Sequence, residues 1–530
     1  MKSNLRFTTL FAMFCCFFAA IAGEEHDQFP DTVLNFNEVA VVARRQPLAS
    51  AQSISGVELQ KLSSTSIADA LKYFAGVQIK DYGGLGGLKT INVRSLGSQH
   101  VGVYIDGVRL TNAQNGTIDL GKYSLSTLES VSLFNANRLD QCQSASEYAS
   151  GATVYLQSRR PTSDSLTVLG GIGSFHSYRG RVNAQISRRT WSGFIDAEYV
   201  NSKGDYPFRY KSQWEDTVGR RRNSDIEYGR LEAVVFSHDF SAHAYWYLSE
   251  RGCPGGIVRR LSDKYTNVAR EWDQDVFVQG TWNHSFNAMH RLKATMKYAH
   301  EYLRYRTKYP ENQNTARVDN HYYLNDAYAA ASYSFTLRSW LNVNVGYDAR
   351  MSWLDADLKR FHTVRRLDQK AVAALQLNWK GARLAASALY QHYKDHTIYR
   401  AGAAEPLSKV TPSVTLGYFW RGLQARLWYK HIFRAPTLND LYYTQAGNRN
   451  LKPEFTRQWN LGLQYDFASS QWFASVQADA YINRVEDRIV CLPMRGTYTW
   501  SMMNYGETYC RGLNATVSGR FNTCLLYTSD

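Results

Sequence analysis

The sequence has few cysteines and no long apolar run after its first residues. Seven cysteines occur in 530 residues, two of them within the first 22. The other five show no spacing typical of metal ligands, so no zinc site is predicted. Beyond the N-terminal segment, no stretch approaches the roughly 18 apolar residues of a membrane helix. The mature chain is therefore either soluble or crosses a membrane as a β-barrel.

Motifs of common enzyme classes are also missing. The 13 histidines are scattered, and the sequence contains neither G-x-S-x-G nor H-E-x-x-H. The glycine-rich stretch DYGGLGGLKT, residues 81–90, fails as a phosphate loop because Leu88 stands where a glycine is needed before Lys89. The β-branched residues that follow predict a short strand, whereas a phosphate loop opens a helix. We therefore predict neither an enzymatic activity nor a nucleotide site or other cofactor.

The first 22 residues have the pattern of an export signal. Two cations precede a short apolar run, which ends in a small-x-small site before Gly23. Cys15 and Cys16 raise the alternative of a lipoprotein signal, but they lie inside the apolar run and do not follow small residues. Cleavage after Ala22 is therefore favoured.

The composition favours a membrane barrel. Aromatic residues make up 14% of the chain, yet mean hydropathy is -0.42. This combination is expected where outward apolar residues alternate with polar lumen residues and aromatic girdles mark the interfaces. A large secreted β-protein is the alternative that composition leaves open. In an exported chain, we assign the net charge of +15 to surfaces that face anionic lipids or an anionic ligand, and not to nucleic-acid binding.

The chain divides into two regions with different sequence patterns. Residues 23–160 contain no tryptophan and mix short elements, whereas strand patterns follow one another from about residue 165. In LNVNVGYD, residues 341–348, Leu, Val, Val and Tyr alternate with polar residues, which predicts a strand with one apolar face. Short turns such as 188–190 alternate with long polar segments such as 203–224 and 304–320. Outer-membrane barrels show this asymmetry, with the long loops outside the cell.

Two separate motifs carry a family resemblance. INVRSLGSQHVGVYIDGVRL, residues 91–110, resembles the plug domain of TonB-dependent outer-membrane receptors, with plug motifs most similar to the cobalamin receptor type. Its VYIDGVRL segment also predicts, from the residues alone, a tight hairpin with its turn at Asp106-Gly107. FRAPTLNDLYYTQAGNRNLKPE, residues 433–454, is similar to the barrel signature of the same receptors.

The resemblance implies an all-β transmembrane barrel of about 22 antiparallel strands when complete, with an N-terminal α+β plug domain in its lumen. We expect a signal peptide at 1–22, a periplasmic leader at 23–36, the plug at 37–160 and the barrel at 161–523. The barrel segment suffices for about 15 or 16 strands, so we expect it to be C-terminally truncated. Residues 524–530 break the alternation and look like a non-native tail.

The resemblance also implies roles for individual residues. Two plug apex loops are predicted to bind ligand through Tyr82, Gly83, Gly84, Leu85, Gly86, Gln114 and Asn115. The predicted TonB box, with an ordinary first plug strand as its alternative, comprises Glu38, Val39, Ala40, Val41 and Val42. Plug structural roles fall to Arg94, Asp106, Gly107 and Arg109, and the two arginines are expected to meet carboxylates of the barrel wall. The barrel motif comprises Arg434, Pro436, Asn450, Pro453 and Glu454.

The implied function is TonB-dependent active import across the outer membrane by ligand-gated plug rearrangement. Its partners are TonB with the inner-membrane energising complex, outer-membrane lipid, and a small ligand such as cobalamin or a ferric siderophore. Haem ranks last because haem receptors normally carry a histidine between the FRAP and NRNL boxes, and residues 437–447 contain none. A passive porin or adhesin is the alternative class.

A disulfide between Cys491 and Cys510 is a further hypothesis. The two residues stand between an outgoing and a returning strand of an exported protein. They pair only if the register brings their Cα atoms within about 7 Å.

Overall fold

The computed structural model describes residues 51–62, 66–138, 142–211, 213, 216–254, 269–307, 318–398, 402–469, 472–494 and 499–521. All of them belong to one compact unit, residues 47–530. The predicted signal peptide, leader, TonB box and C-terminal tail lie outside the described residues. Every helix in the described part is too short or too polar to span a bilayer.

The N-terminal region is an α+β plug. Its elements are β1 (Ala51–Ser55), α1 (Gly56–Lys61), α2 (Ile67–Leu71), β2 (Val77–Asp81), β3 (Lys89–Val93), β4 (Val101–Ile105), β5 (Val108–Leu110), β6 (Leu128–Phe134) and β7 (Ala152–Ser158). Five strands form a sheet in the order β1-β6-β7-β4-β5, in which only the β4–β7 pair is parallel. Strands β2 and β3 form a separate hairpin. Buried aliphatic side chains from α2 and these strands make up the plug core.

The hairpin predicted at Asp106-Gly107 is present. Ile105 faces Val108 across a two-residue turn, and both turn residues have positive φ, +50° at Asp106 and +81° at Gly107. Such a turn matches the twist of the strands it joins and favours an Asp-Gly pair. The Asp106 carboxylate fixes the turn to the end of β7, because it accepts hydrogen bonds from the Ser158 amide and hydroxyl at 2.8 and 2.7 Å.

A second, antiparallel sheet contains 16 strands within the described residues. In sheet order they run β27-β24-β23-β22-β21-β20-β19-β18-β17-β16-β15-β14-β13-β10-β9-β8, so each strand pairs with its neighbours along the chain apart from two excursions. The strands are β8 (Ser165–Gly173), β9 (Ser177–Ser187), β10 (Ser192–Ser202), β13 (Ile226–Phe236), β14 (Phe240–Gly252), β15 (Arg270–Ser285), β16 (His290–Thr307), β17 (Val318–Arg338), β18 (Leu341–Ala356), β19 (Val364–Trp379), β20 (Ala382–Thr397), β21 (Leu407–Trp420), β22 (Leu423–Arg434), β23 (Glu454–Ala468), β24 (Trp472–Glu486) and β27 (Glu507–Phe521). The excursions are the hairpins β11 (Pro207–Lys211) with β12 (Asp216–Arg220), and β25 (Ile489–Pro493) with β26 (Trp500–Asn504). The strand number agrees with the 15 or 16 expected from length.

The apolar face of the sheet points outward, as the alternation predicts. In β18, Val345 and Tyr347 are exposed, whereas Asn344 and Asp348 are buried. The buried polar face lies against the plug, since plug groups bond to wall residues from β13 to β24, as in Thr127 to Glu232 and the Arg94 carbonyl to Asn483. The wall therefore curves around the plug, with apolar side chains toward lipid and polar ones toward the lumen.

Connections at the two ends of the strands differ in length. Those at one end, from β9–β10 to β23–β24, have two to four residues. The other end, which we call the loop side, carries the two hairpin excursions and the short helix α3 (Leu438–Tyr442) between β22 and β23. The structure therefore confirms the predicted alternation of short turns and long loops. Because long loops of outer-membrane barrels lie outside the cell, the loop side is the outward end.

Candidate functional site

The glycine-rich loop of the plug lies at the loop side. It forms a tight turn at Gly84–Gly86 between β2 and β3. A Cβ atom built on Gly84 would stand 3.1 Å from the Tyr206 ring, and one on Gly83 would stand 3.0 Å from Pro254, both in long connections. Tyr82 is 56% exposed and Leu85 is 42% exposed. The loop thus presents one aromatic and one aliphatic side chain at the outward end of the lumen.

The amides of this loop are already used. Asp81 Oδ1 accepts hydrogen bonds from the backbone amides of Gly83 and Gly84 at 3.0 and 2.9 Å. A phosphate loop needs such amides free to surround an anion. The loop is therefore a closed turn and does not form an anion cradle.

The second apex loop docks on α3. The amides of Leu438 and Asn439 donate to the carbonyls of Ala113 and Gln114, each at 3.0 Å. The Asn439 side-chain amide donates to Asn115 Oδ1 at 2.5 Å. Gln114 is buried, so of the two predicted ligand residues in this loop only Asn115 stands toward the exposed side. The loop is thereby attached to the barrel signature segment.

A cavity of about 260 Å³ lies between the second apex loop and the wall, with Leu88 after the glycine-rich loop also in its lining, and we call it the apex cavity. Its charged lining residues are Asp119, Lys122, Arg251, Glu271, Asp273, Asp275 and Glu301. Five carboxyl groups thus face two cations. Amide side chains of Asn112, Gln114 and Asn115 complete its polar lining.

The cations of the apex cavity hold the plug to the wall. Lys122 of the plug contacts Asp275 at 2.8 Å and Asp273 at 3.2 Å. Burial lowers the pKa of Lys122, but the surrounding carboxylates outweigh this effect and hold it well above its usual value. Arg251 of β14 contacts Asp119 at 3.2 Å and donates to the Gly86 carbonyl at 3.0 Å. The glycine loop is therefore tied to the wall through a guanidinium group.

Arg94 contacts the barrel wall, but its partner is not the carboxylate that was predicted. Its guanidinium lies over the Tyr481 ring, 4.5 Å from the centroid, and two of its buried nitrogens have no hydrogen-bond partner in the part of the chain that the structure describes. The nearby Asp479 carboxylate is bound by Arg426 at 2.9 Å instead. Burial lowers the pKa of Arg94 to about 10. A cation–π contact thus replaces the expected carboxylate pair.

Arg109 also lacks the predicted ion pair. No carboxylate within the described residues forms an ion pair with its guanidinium, which lines a second cavity between plug and wall. The neighbouring turn is anchored through other groups: Asp106 contacts His243 Nδ1 at 3.2 Å. A Cβ atom on Gly107 would come within 2.7 Å of Lys293 Nζ, so the wall approaches this turn closely.

The barrel motif residues converge on a plug contact. Arg434 donates to Glu454 at 3.0 and 2.9 Å, joining the two ends of the segment between β22 and β23. The Pro436 carbonyl accepts a hydrogen bond from Arg366 at 2.7 Å. His100 of the plug, which the sequence did not single out, contacts Glu454 through Nε2 at 2.7 Å. Asn450 is exposed and its amide donates to Asn448, while Pro453 lies half-buried before β23.

The predicted disulfide does not form in the structure. Cys491 and Cys510 are both free thiols. Cys491 pairs in register with Met502 in the β25–β26 hairpin, whereas Cys510 stands opposite Asn483 in the wall. The two residues therefore lie in different sheets, Cys491 in the β25–β26 hairpin and Cys510 in the wall. No group of three or more His, Cys, Asp or Glu in the described part of the chain is arranged to hold a metal ion.

These features define a plugged β-barrel whose lumen is closed by a domain bonded to its wall. The barrel portion, residues 205–530, matches the family model "TonB dependent receptor-like, beta-barrel", and residues 43–153 match "TonB-dependent Receptor Plug Domain". The chain belongs to the TonB-dependent receptor family, whose members reside in the bacterial outer membrane and import ligands with energy supplied through TonB.

Among curated relatives, the chain is 22% identical to the vitamin B12 transporter BtuB of Vibrio vulnificus, over 88% of this chain and 72% of the relative. It is also 22% identical to BtuB of Photobacterium profundum, over 93% and 77%. Among solved structures, the FrpB iron transporter from Neisseria meningitidis superposes with a TM-score of 0.69 at 12% identity, covering 89% of this chain and 78% of that one. The copper transporter OprC gives a TM-score of 0.68 at 13% identity, covering 90% and 79%.

Proposed function

We propose that this receptor imports cobalamin or a ferric siderophore, with cobalamin favoured, and that the apex loops form its binding site. The observation that carries the proposal is the charge of the apex cavity, where five carboxyl groups face two cations. Such a lining suits a ligand that offers hydrogen-bond donors and disfavours an anionic one.

Cobalamin has the required chemistry. Its corrin rim carries carboxamide groups, which donate to carboxylates and to the amide oxygens of Asn112 and Asn115. Haem carries two propionates, which the carboxyl groups of the cavity would repel. The charge of the cavity therefore supports haem as the least favoured of the candidate ligands. A ferric siderophore of neutral or positive charge meets the same condition as cobalamin. The 22% identity to two vitamin B12 transporters supports the same choice.

TonB is proposed to engage residues 38–42. A short β-prone run there suits strand addition to a partner sheet. Pulling on this segment would then act on β1, the first strand of the described residues, which pairs with β6 at the edge of the plug sheet.

Binding to the purified full-length chain tests the ligand. Cyanocobalamin, haemin, and ferric siderophores of negative and of neutral charge are titrated separately, with quenching of tryptophan fluorescence as the signal. We expect cyanocobalamin to bind most tightly and the anionic siderophore and haemin more weakly. Tighter binding of haemin or of the anionic siderophore would contradict the proposal.

Two variants test the position of the site. Tyr82→Ala and Leu85→Ala remove exposed side chains, so we expect unchanged stability and roughly tenfold weaker ligand binding for each. Tyr73→Ala is the matched control, because Tyr73 is a plug tyrosine that is 65% exposed but lies outside the apex loops. If all three variants bind the ligand equally well, the apex loops are not part of the binding site.

A further inference from the structure

A second cavity lies between the plug and the wall, and we call it the arginine cavity. It has a volume of about 140 Å³ and is lined by the plug at His100, Arg109 and Ser150 and by the wall from β18 to β22. Its four arginines are Arg109, Arg350, Arg366 and Arg434. Arg109 belongs to the plug, and the other three lie in the wall strands β18, β19 and β22.

Two of these arginines are neutralised. Arg366 donates to Asp395 at 2.7 and 2.8 Å and to the Pro436 carbonyl. Arg434 is bound to Glu454 in the same bidentate manner. The carboxylate of Asp368, which also lines the cavity, accepts from Lys370. These pairs leave no net charge facing the cavity.

Arg109 and Arg350 have no such partner. Neither forms an ion pair with a carboxylate in the described part of the chain. Arg350 lies over the Tyr328 ring, 5.0 Å from its centroid. Two carboxylates act on Arg350 from beyond ion-pair distance: Asp326, which accepts hydrogen bonds from Ser352 and Thr111, and Asp368, which is bound to Lys370. The lining of the cavity thus carries four arginines and one carboxylate, Asp368.

Buried polar atoms at the cavity also lack partners. Arg350 Nε, Gln391 Nε2 and Ser150 Oγ have no hydrogen-bond partner among the described residues, although these residues are 91 to 99% buried. An unsatisfied buried donor costs about 1–3 kcal/mol, and more when it is charged. Two guanidinium groups without a carboxylate partner, together with the Gln391 amide and the Ser150 hydroxyl, thus call for an acceptor with negative charge.

We propose that the arginine cavity binds one small tetrahedral oxyanion, phosphate or sulfate, which joins Arg109 of the plug to Arg350 of the wall. The volume is roughly that of four to five water molecules, which is enough for such an ion. A guanidinium fork matches the oxygens of phosphate and sulfate in bidentate geometry. The cavity shares Asn112 and Ile118 with the apex cavity, but its arginines are absent from the apex cavity lining, and it lies between the plug and the wall.

Equilibrium dialysis of the full chain in detergent tests the proposal, with radiolabelled inorganic phosphate in chloride buffer and no imported ligand present. We expect one saturable site from which sulfate displaces phosphate. Arg109→Gln and Arg350→Gln should each weaken binding at least roughly tenfold. Absence of saturable binding, with only water filling the cavity, would overturn the proposal.

Arg94→Gln is the matched control. Arg94 is also a buried plug arginine without a carboxylate partner, but it does not line the cavity, so its loss should leave phosphate binding unchanged. Equal weakening in this variant would show that binding is nonspecific. Arg109→Lys keeps the charge without the fork; intermediate affinity supports the assignment even where Arg109→Gln folds poorly, and wild-type affinity in both Arg109 variants contradicts it.

Discussion

His100 Nε2 of the plug lies 2.7 Å from Glu454 Oε2 of the wall, and both side chains are almost fully buried. The same carboxylate accepts two hydrogen bonds from Arg434 and one from the Ile489 amide at 2.7 Å. One wall carboxylate thus fixes the ends of two outward connections and one plug residue. Any rearrangement that opens the lumen has to break or carry along this contact.

Glu454→Gln should loosen that arrangement. The substitution removes the nearer of the two carboxylates at the buried Arg434 cation and leaves only Asp440 at 3.6 Å, so we expect a loss of about 3 kcal/mol in the free energy of unfolding. Urea unfolding in detergent, followed by tryptophan fluorescence, measures it. Glu507→Gln is the control: Glu507 also pairs with an arginine, Arg484 at 2.9 Å, but the pair is exposed and its loss should be undetectable. Equal effects of the two variants would contradict this role.

Lys122→Met tests the clamp at the apex cavity. The variant leaves Asp273 and Asp275 without their shared cation, and we expect it to be less stable by about 3–5 kcal/mol. Because the folded pKa of Lys122 is raised above its unfolded value, its contribution is complete below the unfolded pKa of about 10.4 and is lost as pH rises through the folded pKa.

The difference in unfolding free energy between wild type and Lys122→Met should therefore stay constant from pH 6 to 9. A difference that shrinks within this range would contradict the assignment. Lys72→Met removes an exposed lysine paired with Asp69 three residues earlier and should change stability by no more than about 0.5 kcal/mol.

Features that depend on local chemistry could be predicted from the sequence. The Asp106-Gly107 turn follows from two residues that tolerate positive φ, and the wall follows from period-two alternation over many strands. The acidic face of β15 can also be predicted from the sequence, because Glu271, Asp273 and Asp275 follow one another at intervals of two residues. Its partner in the plug was not, since nothing local to Lys122 indicates which strand it faces.

Contacts between plug and wall depend on the tertiary arrangement. His100 and Glu454 are 354 residues apart, and no local pattern links them. The predicted carboxylate partners of Arg94 and Arg109 were wrong for the same reason: the wall offers Asp479 near Arg94, but the register gives that carboxylate to Arg426. Residue types indicated that the arginines meet the wall, whereas only the register decides which groups they meet.

Gly87→Ala should disrupt the apex loop. A Cβ atom at this position would lie 2.2 Å from the backbone nitrogen of Gly83, so the turn at Gly84–Gly86 cannot keep its conformation. We expect a cost of about 1–3 kcal/mol and roughly tenfold weaker ligand binding. Gly402→Ala serves as control, because nothing lies within 4 Å of a Cβ atom there. Unchanged ligand affinity in Gly87→Ala would separate the loop from the binding site.

Val41→Pro tests energy coupling through the TonB box, which lies outside the described residues. Proline removes the backbone donor that strand addition requires, whereas Val41→Thr keeps a β-branched residue and that donor. We expect Val41→Pro to abolish uptake of labelled ligand by cells while binding to the purified chain stays at wild-type affinity, and Val41→Thr to retain both. Uptake by Val41→Pro at the wild-type rate would contradict coupling through this segment. Equal loss of uptake and binding would instead assign Val41 to the fold, as expected of an ordinary plug strand.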